Sequence, residues 1–532
     1  MEIVSWKFFI LILTTLILYY TLPKKFQWIC LLAASLVFYF FTGTFNFVFI
    51  LISSLSTFFA AKIISNYNNY YKTKKSQNEL DKDQLKELKN TLRSKKRIIL
   101  FLTLILNFGI LAALKYWNTI ITSLNNIISN DISFLLLNHG KGLLLPLGIS
   151  FYTFQAVAYL MDIYNDKFNN EKNFFRYLLF ISFFPQLIQG PINRYDKTGK
   201  ELSEIHNFDF ENIKQGFLQF LYGLMKKYVV ADTLVNFIDT IFDSPYNNYP
   251  GSIIVTGILL YSAYQYADFS GGIDMVLGIA KIFGINMQPN FRQPYFSITL
   301  ADFWRRWHIS LGLWMKDYVF YPLALTKGMQ KLGKKCSKVS KHFGRAIPAG
   351  IANIIVFFLV GIWHGPELHY VLWGLYNGLV IAFSDLLKPL FTKVSGLLKI
   401  NTKSIAHKIF QVIRTFIIVN IGWYFDRITD VKKSFYFLGN TFTFFGAKYF
   451  KPLMKTICDS IYFAKSKLGL GLIGCIIIFI ISLIQSKKED IYAYYKSKPI
   501  AIRWGILYLF IILFLISRSY SSGSEAFLYA NF

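Results

Sequence analysis

An all-α, polytopic membrane protein is the fold class predicted by three features of this chain. Apolar windows near the ~20 residues needed to cross a bilayer recur along the whole length. Charged residues make up only 16% of the 532, against about 25% in soluble domains, and the mean hydropathy is +0.40. Lysines and arginines gather in short stretches between the apolar windows, where cytoplasmic loops are expected. Together these features predict roughly 11–14 membrane-spanning or re-entrant helices.

Taken in order, the first spans fall near residues 8–22, 26–41 and 45–61. The stretch Met1–Lys7 lacks the charged region and cleavage site of a signal peptide, so the first span reads as retained. Residues 62–97 carry eleven Lys/Arg against four acids and read as a basic cytoplasmic loop, with a helix over the heptad-like Leu80–Leu88. That loop places the N-terminus outside and Lys24 and Lys25 inside. Spans follow near 98–115, 143–164, 174–189, 216–235 and 252–269. Leu145-Pro-Leu-Gly148, Phe184-Pro-Gln186 and Gln189-Gly-Pro191 interrupt this series, as in broken or re-entrant helices around a cavity.

Residues 290–325 place Trp304, Trp307, Leu311, Trp314, Met315 and Tyr318 on one side and charged residues on the other, predicting an amphipathic, half-inserted helix. A second basic loop, 328–345, contains no acid, and spans near 347–362, 370–386, 409–425, 468–485 and 504–517 complete the chain. The organisation is then N-terminal spans (1–61), a basic loop (62–97), a central segment (98–386) and C-terminal spans (387–532). No internal repeat is evident.

The net charge of +28 does not point to nucleic acid, because no basic motif is arranged to read bases. Anionic headgroups or an acidic soluble partner fit the cationic loops better. Cys30, Cys336, Cys458 and Cys475 have neither metal-ligand nor disulfide spacing. Serine-elbow, zinc-protease and Cys-x-x-Cys patterns are absent, which argues against covalent-serine and metal-dependent hydrolysis.

His364 is the most informative residue. It closes the apolar run 347–362 and is followed by Gly365 and Pro366, which end the helix. An ionisable side chain in such a run is a functional hypothesis by default. A neutral imidazole there can take a proton from a hydroxyl and pass it to a leaving group. His308, within Asp302-Phe-Trp-Arg-Arg-Trp-His308, is the second candidate. Its alternative role is to orient its helix through a hydrogen bond. His139, His206, His342 and His407 lie in polar or basic contexts, and His369 is expected on an interfacial loop. Asp162, Asp268 and Asp274 are expected to pair with Arg194, Arg292, Arg305 or Arg306 as structural locks.

From Leu145-Pro-Leu-Gly-Ile-Ser-Phe-Tyr-Thr-Phe154 and Phe184-Pro-Gln-Leu-Ile-Gln-Gly-Pro191-Ile-Asn-Arg194 onward, the chain resembles the membrane-bound O-acyltransferase (MBOAT) family. The resemblance continues through Asp268-Phe-Ser-Gly, Asn290-Phe-Arg-Gln-Pro-Tyr295, Asp302 to Leu311, Trp314-Met-Lys-Asp-Tyr318, Gly361-Ile-Trp-His364-Gly and Leu372-Trp-Gly-Leu-Tyr376-Asn-Gly. These blocks cover about residues 143–385 in order. The bacterial branch is most similar. Its alginate O-acetylation group is favoured by Gly422-Trp-Tyr-Phe-Asp-Arg427 and the closing Phe527–Phe532, and its teichoic acid D-alanylation group comes next. The basic insert 326–345 and Asn377, where the alginate-type group often has a histidine, depart from the pattern.

The resemblance implies helices around a central tunnel, with His364 as the catalytic histidine and His308 as the second polar group. It implies a transferase in a bacterial cytoplasmic membrane that moves a small acyl group, acetyl foremost, toward an extracellular polysaccharide or an extracytoplasmic acetyltransferase- or esterase-like relay partner. The donor would be a thioester, acetyl-CoA or the phosphopantetheine of an acyl carrier protein, with no bound cofactor and no metal. Trp304, Arg305, Arg306, Trp307, Trp363 and Asp302 are the expected substrate-binding residues. D-alanyl transfer to teichoic acid is the nearest rival. A lipid-linked glycan transporter is the rival from another class, and the missing repeat weighs against it.

Overall fold

The computed structural model describes residues 5–43, 46–127, 145–243, 249–443, 467–488 and 490–520, without the side chains of 118, 120–127 and 520. His139, Cys458, the start of the span expected at 143–164 and Phe527–Phe532 lie outside the described residues.

Every regular element among the described residues is helical. The first ten are α1 (Trp6–Thr21), α2 (Gln27–Phe40), α3 (Asn46–Ser76), α4 (Lys82–Ile127), α5 (Ile149–Tyr164), α6 (Phe174–Ser182), α7 (Phe184–Gln189), α8 (Phe210–Leu224), α9 (Asp232–Phe242) and α10 (Gly251–Ile282). There follow α11 (Leu300–Arg306), α12 (Ile309–Met315), α13 (Tyr321–Ala324), α14 (Lys327–Ser337), α15 (Lys341–His364) and α16 (Leu368–Leu386). The last are α17 (Lys388–Leu397), α18 (Ile405–Arg427), α19 (Val431–Asn440), α20 (Lys467–Lys487), α21 (Ile491–Lys496) and α22 (Ile500–Tyr520).

Among the described residues, six helices are long and apolar enough to cross a membrane: α3, α4, α15, α18, α20 and α22. The pair α16 and α17, bent by 55°, makes a seventh if it is one broken span. Exposed apolar stripes such as Ile409, Ile413 and Ile417 on α18 suit a lipid environment. Several expected spans are shorter helices, α1 and the α6–α7 pair among them. The stretch at 62–97 is the helical continuation of α3 and α4, with only residues 77–81 as the connection. Likewise the basic stretch 328–345 is mostly α14 and the start of α15.

The chain forms two compact units. One comprises Met1–Phe217 and Val276–Gln288. Here α3 packs on α4 and α5, and α2 on α6. Pro185 sits in the first turn of α7, where its missing N–H costs nothing. Backbone carbonyls at these breaks meet buried side-chain amides: Gln186 Nε2 donates to Phe180 O at 2.5 Å, and Gln155 Nε2 to Pro191 O at 3.4 Å. Asp162 pairs with Lys167 at 2.7 Å and faces the expected Arg194 at 3.8 Å.

The other unit, Leu218–Met275 and Pro289–Tyr529, holds both candidate histidines. Its α10 is locked to the π-helical turn Met225–Ala231 by two buried lysines. Lys227 lies 2.7 Å from Asp268 and 2.9 Å from Asp232, and Lys226 lies 2.6 Å from Asp274. These lysines, and not the expected arginines, are the partners of Asp268 and Asp274. The arginine expectation is therefore corrected: periodicity identifies buried carboxylates but not which distant helix supplies the cation. Gly223 and Gly271 let the backbones meet, since a Cβ on Gly223 would fall 2.6 Å from the Gly271 carbonyl oxygen.

Removing one partner of a buried ion pair strands the other charge, at a cost of about 3–5 kcal/mol. Lys227→Met is therefore expected to lower the thermal unfolding midpoint of the detergent-solubilised protein substantially. Lys331→Met, on the exposed face of α14, is expected to leave it unchanged.

Candidate active site

His364 is the last residue of α15, and the chain turns through Gly365–Glu367 into α16. The two helices pack with almost no space between their backbones. A Cβ on Gly361 would lie 2.5 Å from the Tyr370 carbonyl oxygen, and one on Gly374 would meet the Phe357 carbonyl. Gly374 and Gly378 are spaced as in small-residue seams that join membrane helices. Gly365 has a separate duty: a Cβ there would fall 2.7 Å from the Tyr370 ring. That room lets Tyr370 stack on His364, with centroids 5.7 Å apart and planes 28° apart. Trp363 and Trp373 stand edge-on to the imidazole at 4.8 Å and 4.9 Å, and His364 is buried.

His308 does not lie within a helix. The single amphipathic helix expected over this segment is broken there into α11 and α12, because His308 takes the left-handed conformation (φ 48°, ψ 52°). A non-glycine residue in that region costs of order 1–3 kcal/mol and persists only where its surroundings hold it. Asn290, itself buried, supplies the hold. Its carbonyl oxygen accepts from Ile309 N at 3.0 Å, and its Oδ1 accepts from Ser310 N at 2.9 Å. The same side-chain amide faces His308 Nδ1, its nitrogen at 3.2 Å and its oxygen at 3.4 Å. With the amide nitrogen donating, Nδ1 accepts and the proton of the neutral ring is on Nε2; with the amide oxygen accepting, the proton is on Nδ1.

His308 lies outside the apolar spans and is buried, and burial holds its conjugate acid down at about 3. The ring is therefore neutral. Phe269 of α10 stands edge-on to it at 4.8 Å. Asp268, next to Phe269, is the Lys227 partner, so the lysine lock fixes the face of α10 that His308 rests on.

The two histidines meet through an indole. Trp363 lies 6.2 Å from the His308 ring and 4.8 Å from the His364 ring, so the imidazoles are no farther apart than these two steps combined. Trp304 supports the same wall from behind. Its Nε1 donates to Asn377 Oδ1 at 3.0 Å, and its ring stands edge-on to Trp373 at 5.5 Å. Asn377 also donates to Trp373 O at 2.8 Å, so this departure from the family pattern is an anchor for two tryptophans.

The other expected binding residues are placed differently. Trp307 is buried and stacked on Phe303 at 5.4 Å, within a cluster that includes Phe291 and Trp423. Asp302 binds its own helix neighbours, Arg306 at 3.2 Å and Arg305 at 3.7 Å, and the Arg305 side chain is 72% exposed. These two arginines thus form a surface ion pair network. His369 is not on a loop. It is buried in the first turn of α16, where its Nδ1–H donates to Phe425 O at 2.8 Å and ties α16 to α18. Asn290, Phe269, Tyr370 and Trp373 escaped the sequence reading. Only Asn290 gave a usable signal, as a polar residue opening a block of the family resemblance.

A model of the membrane-bound O-acyltransferase family matches residues 34–424. A probable alginate O-acetylase of Pseudomonas syringae pv. tomato is 32% identical over 348 residues, covering 65% of this chain and 60% of that protein. A peptidoglycan O-acetyltransferase of Helicobacter pylori is 31% identical, covering 64% and 63%. A teichoic acid D-alanyltransferase of Bacillus subtilis is 30% identical, covering 44% and 58%. The chain thus spans about three-fifths of the length of these relatives.

Asn290→Asp tests the tautomer directly. A carboxylate at this position accepts from Nδ1 and holds the ring proton there, so a mechanism that uses the Nε2–H is expected to lose about 10²-fold in turnover with the protein still folded. Turnover and the unfolding midpoint of the purified variant check this.

Proposed function

The chain belongs to the membrane-bound O-acyltransferase family, and on that premise we propose that it transfers a small acyl group, acetyl foremost, from a thioester to hydroxyls of an envelope polysaccharide or of an extracytoplasmic relay partner. The observation that carries this reading is the pairing of two buried imidazoles across Trp363. His364 acts as general base: it takes the proton of the attacking hydroxyl as the oxygen adds to the thioester carbonyl. His308, neutral with its proton on Nε2, donates toward the oxygen that gains charge in the tetrahedral intermediate. Collapse breaks the C–S bond, and the His364 proton leaves with the thiolate. The ester and a free thiol are the products, so no net proton remains on the protein.

The aromatic shell of Trp363, Tyr370 and Trp373 limits water at the imidazole, which favours transfer over thioester hydrolysis. The donor is read as acetyl-CoA or an acylated carrier protein, and the cationic cytoplasmic segments suit either anionic donor. The site is read as lying in a bacterial cytoplasmic membrane. D-alanyl transfer is retained as a second reading because of the similarity to the Bacillus subtilis D-alanyltransferase.

The test is the base-labile ester content of the producing cell's envelope, comparing wild type with His364→Ala at equal membrane abundance. Loss of acetate is the expected result. Loss of D-alanine moves the assignment to teichoic acid, and unchanged esters contradict the general-base role of His364.

A further inference from the structure

Near the end of α18, Asp426 presents a half-buried carboxylate in an unusual setting. Both of its hydrogen bonds fall on Oδ2: Tyr261 Oη donates at 2.7 Å and Gln265 Nε2 donates at 2.7 Å, both from α10. The adjacent Arg427 is committed elsewhere, to Asp239 at 2.7 Å and Asp243 at 2.6 Å. Among the described residues Asp426 therefore has no ion-pair partner and is held by neutral donors. Gln265 is buried, and its Oε1 has no hydrogen-bond partner among the described residues. An orphaned buried amide oxygen costs about 1–3 kcal/mol and calls for an explanation.

Asp426 Oδ1 and Gln265 Oε1 are thus acceptor oxygens of two side chains joined by one hydrogen bond, and neither has a hydrogen-bond donor among the described residues. They belong to the surroundings of His364. Tyr370, half-buried, stacks on His364 at 5.7 Å, and its neighbour His369 donates at 2.8 Å to the carbonyl of Phe425, the residue before Asp426. Tyr261 is also flanked by Trp423, edge-on at 6.1 Å. Such acceptors complement a molecule that offers several hydroxyl donors, which is the chemistry of a sugar.

We propose that Asp426 and Gln265 form an acceptor subsite that binds saccharide hydroxyls neighbouring the one His364 deprotonates. This rests on the acyltransfer reading given above. The subsite contributes binding and register and forms no covalent bond. An acceptor lacking those hydroxyls leaves Gln265 Oε1 unpaired, so the subsite also selects against simple alcohols and water.

The test uses the full chain purified in detergent, acetyl-CoA as donor, and envelope polysaccharide stripped of its esters with mild base as acceptor. Asp426→Asn is expected to raise the acceptor concentration for half-saturation about tenfold, and Gln265→Met several-fold, with the acetyl-CoA concentration for half-saturation unchanged. The unchanged donor value shows that each variant is folded, and Gln265→Met decides the matter if Asp426→Asn does not fold. An unaltered acceptor value in Gln265→Met and any folded Asp426→Asn overturns the inference. So does a rise confined to the donor value, which assigns the carboxylate to the acyl donor, for instance to the ammonium of an aminoacyl group. A wild type that transfers nothing to the polysaccharide overturns the subsite, whereas the acyltransfer reading is decided separately by the envelope esters of His364→Ala.

Discussion

The clamp that Asn290 places on the turn from Trp307 to Ser310 is the constraint on which the site depends. Three hydrogen-bonding groups of one buried residue hold His308 in a strained left-handed conformation, stop α11, start α12 and engage the ring at Nδ1. Without them the segment would gain by continuing as one helix, and the imidazole would rotate away from Phe269 and Trp363. Strain of this kind is stable only when its surroundings over-determine it. The surroundings here include the Lys227–Asp268 pair, which holds the face of α10 beneath the ring.

His364 is positioned by a different device. Glycines at 361, 374 and 378 bring α15 and α16 into backbone contact, and Gly365 makes room for Tyr370. The imidazole then lies among three aromatic rings at the end of a helix. One histidine is held by packing and the other by hydrogen bonds, and Trp363 joins them. This division suits their roles. Under the proposed mechanism, the base that gains and loses a proton needs shelter from water, whereas the neutral donor needs its ring held in one orientation.

Much of this was legible in the sequence. Apolar length and charge placement gave the helical membrane architecture, and the Gly-Ile-Trp-His-Gly-Pro segment marked His364 as a helix-end imidazole. Three things were not legible, each for a physical reason. The break at His308 was hidden because Trp304, Trp307, Leu311 and Trp314 keep helical spacing across it, while the group that forces the break, Asn290, is eighteen residues away. The lysine partners of Asp268 and Asp274 were missed because ion pairing between distant helices leaves no periodic trace. His369 looked interfacial because Glu367 precedes it, yet α16 begins one residue earlier and turns the ring inward to Phe425.

The central claim is that His308 and His364 act on one reacting centre. The most direct test is a double-mutant cycle on turnover, with His308→Ala and His364→Ala made singly and together in protein of equal membrane abundance. Groups that act as a unit are strongly non-additive, so the double variant should lose little more activity than the worse single variant. Losses that multiply would show two independent contributions and contradict a shared site.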